Sequence, residues 1–230
     1  MAELFASVAG NRVTDVTARF PFSGCWTCDL DLHEAVDLTG PVEVVLGTMV
    51  LKGTIHPDFS GKFVGSAKVR VVAGKNGWST RLKAKDYTDD LGVKRSTVIQ
   101  DAARECGETV TITGDLGRMV GFKFDRHQAP ASRTMELALK GTGYSWFLDS
   151  NGVTQVAVRS TSEITAAYDL IDFDPRRKVA TVAITDPVGI VVGSILRDEK
   201  LAKPLQAREL EVTIAGAAMR LMVWGKELAS

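Results

Sequence analysis

A chain of 230 residues with 45% apolar side chains can bury a sizeable core, and its 28 basic and 28 acidic side chains cancel. Without a block of like charge it lacks the basic stripe that sequence-independent nucleic-acid binding requires. No run reaches the about 18–20 apolar residues of a membrane span. Glu3 stands where a secretory leader would be basic, and three cysteines, an odd number, do not make a disulfide framework, so folding in a cytoplasm is expected.

In chain order, Val13, Val16, Ala18 and Phe20 predict a strand that stops at Pro21. Residues 25–32 alternate, with Trp26, Cys28, Leu30 and Leu32 on one side and Thr27, Asp29 and Asp31 on the other. Val42, Val44 and Leu46, a turn at Gly47-Thr48, then Met49, Leu51 and Ile55 read as a hairpin. Val69–Ala73 is a strand, Gly74-Lys75-Asn76-Gly77 a turn, and Trp78, Leu82 and Ala84 belong to the next strand. Short antiparallel strands at this spacing predict a small barrel or sandwich.

A polar connection at Tyr87–Gly92 leads into a helix. Thr97-Val98-Ile99-Gln100 has the form of a capping box, in which each side chain satisfies a free backbone N–H of the first turn. Val98, Ile99, Ala102, Ala103 and Cys106 share a face, and Gly107 provides the left-handed stop. Val110 and Ile112, then Val120, Phe122 and Phe124, predict short strands around a turn at 114–117. A second helix starts near Pro130, buries Ala131, Met135, Ala138 and Leu139, and ends at Gly141. Residues 143–156 predict a hairpin built on an Asn151-Gly152 turn.

Strands return at Ile164–Tyr168 and Val179–Thr185, and the run Val188–Leu196 is strongly apolar. Two alternating runs, Leu210/Val212/Ile214 and Met219/Leu221/Val223, meet at Ala215-Gly216. The expected fold is mainly β with two short helices: tube-like β-barrel or sandwich domains carrying a small α/β insert. The division expected is an N-terminal barrel over 1–86, an insert over 87–160, and a C-terminal β region over 161–230 that completes a second barrel. Near-neutral charge with many strand edges points to assembly into something larger.

Cys25-x-x-Cys28 is the first candidate for chemistry. A redox pair belongs at a helix N-terminus, where a thiol pKa falls, and this pair lies in an alternating strand. A zinc site would need two more ligands, from His33, His56 and Cys106, at no knuckle-like spacing. The bland reading is a buried Cys28 beside Trp26, with Cys25 near the strand edge. His33, His56 and His127 are isolated, and no Gly-x-Ser-x-Gly elbow offers a nucleophile. Asp29 and Asp31, and the loop acids Asp86, Asp89 and Asp90, pair carboxylates but fit the solvated side of a strand or loop better than a calcium loop. Gly74–Gly77 lacks Walker spacing, and Trp78, Tyr87, Tyr144, Trp146 and Trp224 are dispersed as core or interface anchors. No cofactor and no enzymatic activity are expected.

Three features in order carry a resemblance. They are Val42-Glu43-Val44-Val45-Leu46-Gly47 with Leu51-Lys52-Gly53-Thr54-Ile55; the helix Ser96–Gly107; and Ala129-Pro130-Ala131-Ser132-Arg133 leading to Gly143-Tyr144-Ser145-Trp146-Phe147-Leu148-Asp149 and Asn151-Gly152-Val153. Over about residues 40–160 the chain resembles the baseplate hub proteins of tailed bacteriophages and the related N-terminal part of type VI secretion spike proteins. Known hubs are commonly longer, so this would be a compact version, and these residues include no lysozyme or peptidase segment.

The resemblance implies a structural virion protein at the distal end of the tail, assembled in the host cytoplasm. It implies a ring joining the tail tube to a spike or fibre during host cell entry, as a trimer with pseudo-sixfold character. Tube, distal tail ring and spike or fibre proteins would be its partners. DNA would pass through the channel without specific binding, and Asp29 and Asp31 become candidates for its lumen. The alternatives are a hexameric distal tail ring and, from a different class, a metal- or redox-dependent factor using Cys25 and Cys28.

Overall fold

The computed structural model describes residues 6–228 except 120, 165 and 217. The chain runs through β1 (Ala6–Val8), β2 (Asn11–Pro21), β3 (Thr27–Leu32), β4 (Pro41–Leu46), β5 (Met49–Ile55), β6 (Gly61–Phe63) and β7 (Ser66–Ala73). It continues through β8 (Arg81–Leu82), β9 (Lys85–Thr88), α1 (Arg95–Cys106), β10 (Val110–Ile112), β11 (Lys123–Arg126), β12 (Ala129–Pro130), α2 (Ala131–Leu139), β13 (Ser145–Leu148) and β14 (Thr154–Ala157). It ends with β15 (Ser162–Glu163), β16 (Asp169–Asp174), β17 (Val179–Ala183), β18 (Ser194–Leu196), β19 (Leu205–Ala215) and β20 (Ala218–Glu227). The fold is mostly β with two short helices, as expected.

Two compact units share the chain. The first takes residues 6–22, Trp26–Ala73 and 160–228; the second takes Ser23–Cys25 and Gly74–Arg159.

In the first unit, β1–β7 and β15–β20 form one sheet of 13 strands among the described residues. Six of them, in the order β1-β4-β5-β7-β3-β2, close into a barrel, because β1 pairs with both β4 and β2. Closure removes the free edges that an open sheet of this size would expose. Strand β2 does double duty: Asn11 and Arg12 pair with β1, while residues 15–21 pair with β19. The same sheet therefore runs on through β19, β20, β17 and β16. Period-2 alternation decides what is buried. Trp26, Cys28, Leu30 and Leu32 all lie in the core, as do Val16 and Ala18 on β2 and Leu210, Val212 and Ile214 on β19.

The second unit packs α1 and α2 with the three-stranded sheet β10-β14-β13 and two short ribbons, β9–β11 and β8–β12. Trp78 and Trp146 form its aromatic centre, 5.4 Å apart, and the Trp78 indole N–H donates to Thr154 Oγ1 at 2.8 Å. Trp78 sits in a short 3-10 turn, Gly77–Ser79, rather than in the expected strand. The Gly24 N–H donates to the Trp146 carbonyl at 2.8 Å, which explains why residues 23–25 belong to this unit.

Both helices lie where the periodicity put them. Helix α1 buries Val98, Ile99, Ala102 and Ala103 and stops at Gly107, whose φ is +77°. Its start differs from the capping-box expectation: Lys94 is the N-cap, no side chain caps it, and Thr97 lies inside the first turn. A tertiary contact takes over the cap's work, since the Arg95 N–H donates to the Gly117 carbonyl at 3.3 Å. Helix α2 buries Ala131, Thr134, Met135, Ala138 and Leu139.

The expected hairpin is β13–β14, but its turn is not a two-residue Asn-Gly turn. Leu148 pairs with Thr154, leaving a five-residue loop in which the Asp149 carboxylate accepts from the N–H groups of Asn151 and Val153 at 2.9 and 3.0 Å. In the expected 120–124 strand, Val120 lies outside the described residues, Phe122 is exposed, and pairing starts at Lys123. Of the expected Ile164–Tyr168 strand, Thr165 lies outside the described residues, and the first long strand there is β16. The apolar run Val188–Leu196 is a 3-10 turn followed by β18, with Val188 and Val191 half exposed.

Candidate functional site

The solvent face of seven strands of the first unit, β7-β3-β2-β19-β20-β17-β16, is an ordered polar surface. Their register aligns side chains in rows. One row reads Arg70, Asp29, Thr17, Thr213, Arg220, Ala183, Asp169; the next reads Thr27, Arg19, Glu211, Met222, Thr181, Asp172; a third begins Lys68, Asp31, Asp15. Behind them, Val71, Cys28, Ala18, Val212, Leu221, Val182 and Leu170 form a buried apolar row.

Asp29 and Asp31 stand on this solvent face, and each has a cation opposite it on β7. The Arg70 guanidinium donates to both Asp29 oxygens at 2.5 and 2.8 Å, and Lys68 Nζ lies 3.2 Å from Asp31. Arg19 and Glu211 make a third pair at 2.6 Å. Arg70 also stacks 4.6 Å from the Phe59 ring, which meets His56 edge-on at 4.8 Å. Asp15, Asp169 and Asp172 have no ion-pair partner among the described residues, so the face retains an acidic excess. The alternation Lys68-Val69-Arg70 puts both cations on one side of β7, and the β3–β7 register sets them opposite the aspartates.

The cysteines are built for packing. Cys28 is fully buried in β3. Burial, followed by the Glu108 carboxylate, pushes the Cys25 thiol up to about 12. Burial also raises Cys28, and it raises Cys106 to about 11. Reactive thiols are shifted the other way. At pH 8 a thiol at about 12 is ionised only about once in 10⁴ molecules. Iodoacetamide at that pH is therefore expected to label Cys25 at least about 100-fold more slowly in the folded protein than in urea. Equal rates in mass spectrometry would show that burial does not suppress the Cys25 thiol, and a faster rate in the folded protein would show an activated one.

His33 and His127 are exposed, and His56 has a buried Nδ1 without a partner among the described residues. Asp89 accepts from the Leu91 N–H and pairs with Arg118, Asp86 faces Lys123 at 3.6 Å, and Asp90 is exposed. Among the described residues no three His, Cys, Asp or Glu side chains converge as metal ligands would. A cavity of about 300 Å³ in the first unit is lined by Val36, Leu38, Ile55, Pro57 and Val69 with Asp37 and Ser60. Its lining contains no nucleophile–base pair.

One polar cluster escaped sequence reading. In the second unit Arg126, only 3% exposed, donates to Glu105 at 2.5 Å, to Tyr87 Oη at 3.1 Å and to the Lys83 carbonyl at 3.1 and 3.2 Å. Asp101 accepts from Lys85 at 2.5 Å and Tyr87 at 2.6 Å and pairs with Arg104. Every member is spoken for, and the cluster fastens α1 to the β9–β11 ribbon. This is a structural lock rather than a site with a vacant partner.

No family model matches this sequence, and no curated protein matches it. Solved structures do. The chain is similar to the 43 kDa tail protein of prophage MuSo2 from Shewanella oneidensis, with a TM-score of 0.66 at 9% identity over 98% of this chain and 96% of that one. It is similar to the E. coli c3393 protein, a type VI secretion component described as structurally similar to the T4 tail proteins gp27 and gp5 (TM-score 0.65, 10% identity, 98% and 77% covered). It is also similar to a tail protein from Neisseria meningitidis MC58 (TM-score 0.63, 12% identity, 97% and 96% covered). The chain has the fold of phage tail proteins, in agreement with the tail-tip and baseplate-hub resemblance.

Proposed function

We infer that this chain is a structural, non-enzymatic protein of a bacteriophage tail, and that it forms the hub ring at the distal end, between tail tube and spike or fibre. The observation that supports this most is the match of fold over nearly the whole length of a prophage tail protein and of a second tail protein. In this reading the solvent face of β7-β3-β2-β19-β20-β17-β16 lines the channel, and Asp29 and Asp31 lie in the lumen. Their pairing with Arg70 and Lys68 mutes the field, while Asp15, Asp169 and Asp172 keep it acidic, so that DNA passes without adhering. The strands expected to complete a second barrel, residues 161–230, supply β16, β17, β19 and β20 to that lining. The ring is a trimer that contacts tube, distal tail ring and spike or fibre proteins.

The test is electron microscopy of purified particles labelled with antibody against this protein. Label at the distal tip is expected, and averaging then reads threefold order for a hub or sixfold order for a distal tail ring. Label absent from particles, with the protein free in the infected cell, would overturn the structural role.

A further inference from the structure

Strand β10 is an edge of its three-stranded sheet. The Thr154 N–H donates to the Thr109 carbonyl at 3.0 Å, and the Thr113 N–H donates to the Val156 carbonyl at 2.9 Å. Val110, Thr111 and Ile112 lie opposite Thr154, Gln155 and Val156 in parallel register. That register turns the N–H and C=O of Thr111 toward β14 and those of Val110 and Ile112 away from it. Among the described residues nothing bonds these four outward groups.

Edges of this kind are usually protected by charge, proline or a bulge. β16 shows the usual protection: it carries Asp169 and Asp172, bulges at Leu170/Asp172, and has Lys200 Nζ on the Leu170 carbonyl at 2.8 Å. β10 has none of it. Residues 109–113 read Thr-Val-Thr-Ile-Thr, and Thr109, Thr111 and Thr113 are exposed.

The five residues are nearly a palindrome about Thr111. We propose that β10 pairs antiparallel with β10 of a second copy, across a two-fold axis at Thr111. Val110 then faces Ile112 of the other copy, and their four outward groups on each side form four intermolecular backbone hydrogen bonds. Thr109 faces Thr113, and Thr111 faces itself as the close, non-hydrogen-bonded pair. One step further out Glu108 faces Gly114, so no like charges meet. The interface is isologous, the usual form of a homodimer. The pairing stands without the tail reading; within that reading a two-fold contact has no place in a ring that is polar along the tail axis, and the pairing would belong to free subunits before assembly.

Sedimentation of the full chain over about a hundredfold range of concentration tests it, since so short an interface is weak and concentration-dependent. Thr111→Lys puts two ammonium groups on side chains whose Cβ atoms are about 5 Å apart across the axis. The mass of the species formed by the wild type is expected to halve in Thr111→Lys and in Thr111→Glu, and to be restored when the two variants are mixed. Circular dichroism of each variant should match the wild type, because the side chain is exposed. At high concentration the Val110 and Ile112 amides should gain protection from hydrogen exchange. A wild type that never self-associates, a mass unchanged by Thr111→Lys, or a mixture that fails to restore pairing would each overturn the proposal.

Discussion

Replacing Arg126 by methionine is expected to destabilise the second unit by about 3–5 kcal/mol. The methionine fills most of the volume and removes the charge, leaving Glu105 without its 2.5 Å partner and the Lys83 carbonyl without a donor. Asp101, 7% exposed, keeps Lys85 and Arg104. Hydrogen exchange read on α1 peptides should accelerate by about 10²–10³ while barrel peptides change far less. Unchanged exchange in α1 would mean that the lock is ornamental. Adding Glu105→Gln should cost less than the two single changes together, because the first substitution has already left that carboxylate with Lys85 alone, at 3.3 Å.

The same cluster predicts a pH dependence. Burial of Asp101 works against its ionisation, but hydrogen bonds from Lys85 and Tyr87 outweigh it and hold the carboxyl down at about 2. Its folded pKa lies below the unfolded value, so the stabilisation is fully present above about pH 4 and is lost as pH falls toward 2, with an amplitude of about 2 kcal/mol. Urea midpoints measured across that window should fall in the wild type and flatten in Asp101→Asn.

What the sequence revealed, and what it hid, follows the reach of the interactions. The face of β3, both helix cores and the Gly107 stop were legible because period and propensity act within a few residues. The start of α1 was misread because Gly117, more than 20 residues away, satisfies the Arg95 N–H in place of a cap. The β13–β14 turn was misread because Asp149 competes with Asn151-Gly152 for control of the loop, and its carboxylate takes two backbone donors. Arg126 has no local pattern to mark it, because only pairing of β11 with β9 brings it to Tyr87. On the sheet face the acids Asp29 and Asp31 were visible, but their neutralising partners depended on the β3–β7 register.

Gly53→Ala is expected to lower the melting temperature by roughly 5–10 °C, the equivalent of about 2–3 kcal/mol of overpacking. Gly53 lies inside β5, opposite Ala73 of β7. A methyl group there would lie 2.5 Å from the Val72 carbonyl oxygen, 2.7 Å from Val71 Cγ1 and 2.8 Å from Trp26 Cη2. The two side chains can yield a little; the backbone oxygen cannot, so β5 must part from β7. That seam is one of those that complete the barrel, and the Val72 amide, which points toward Thr54, should lose protection first, whereas the Ala73 N–H donates to the Trp26 carbonyl. Trp26→Phe in the same chain relieves only the ring contact and should recover only part of the loss. A melting temperature within about 1 °C of wild type would show that the strands can slide apart freely at this seam, and closure by β5 would then contribute little to the fold. The comparison with Thr111→Lys separates the two levels: the glycine change should destabilise the barrel, while the threonine change should leave stability as it is and alter only how copies meet.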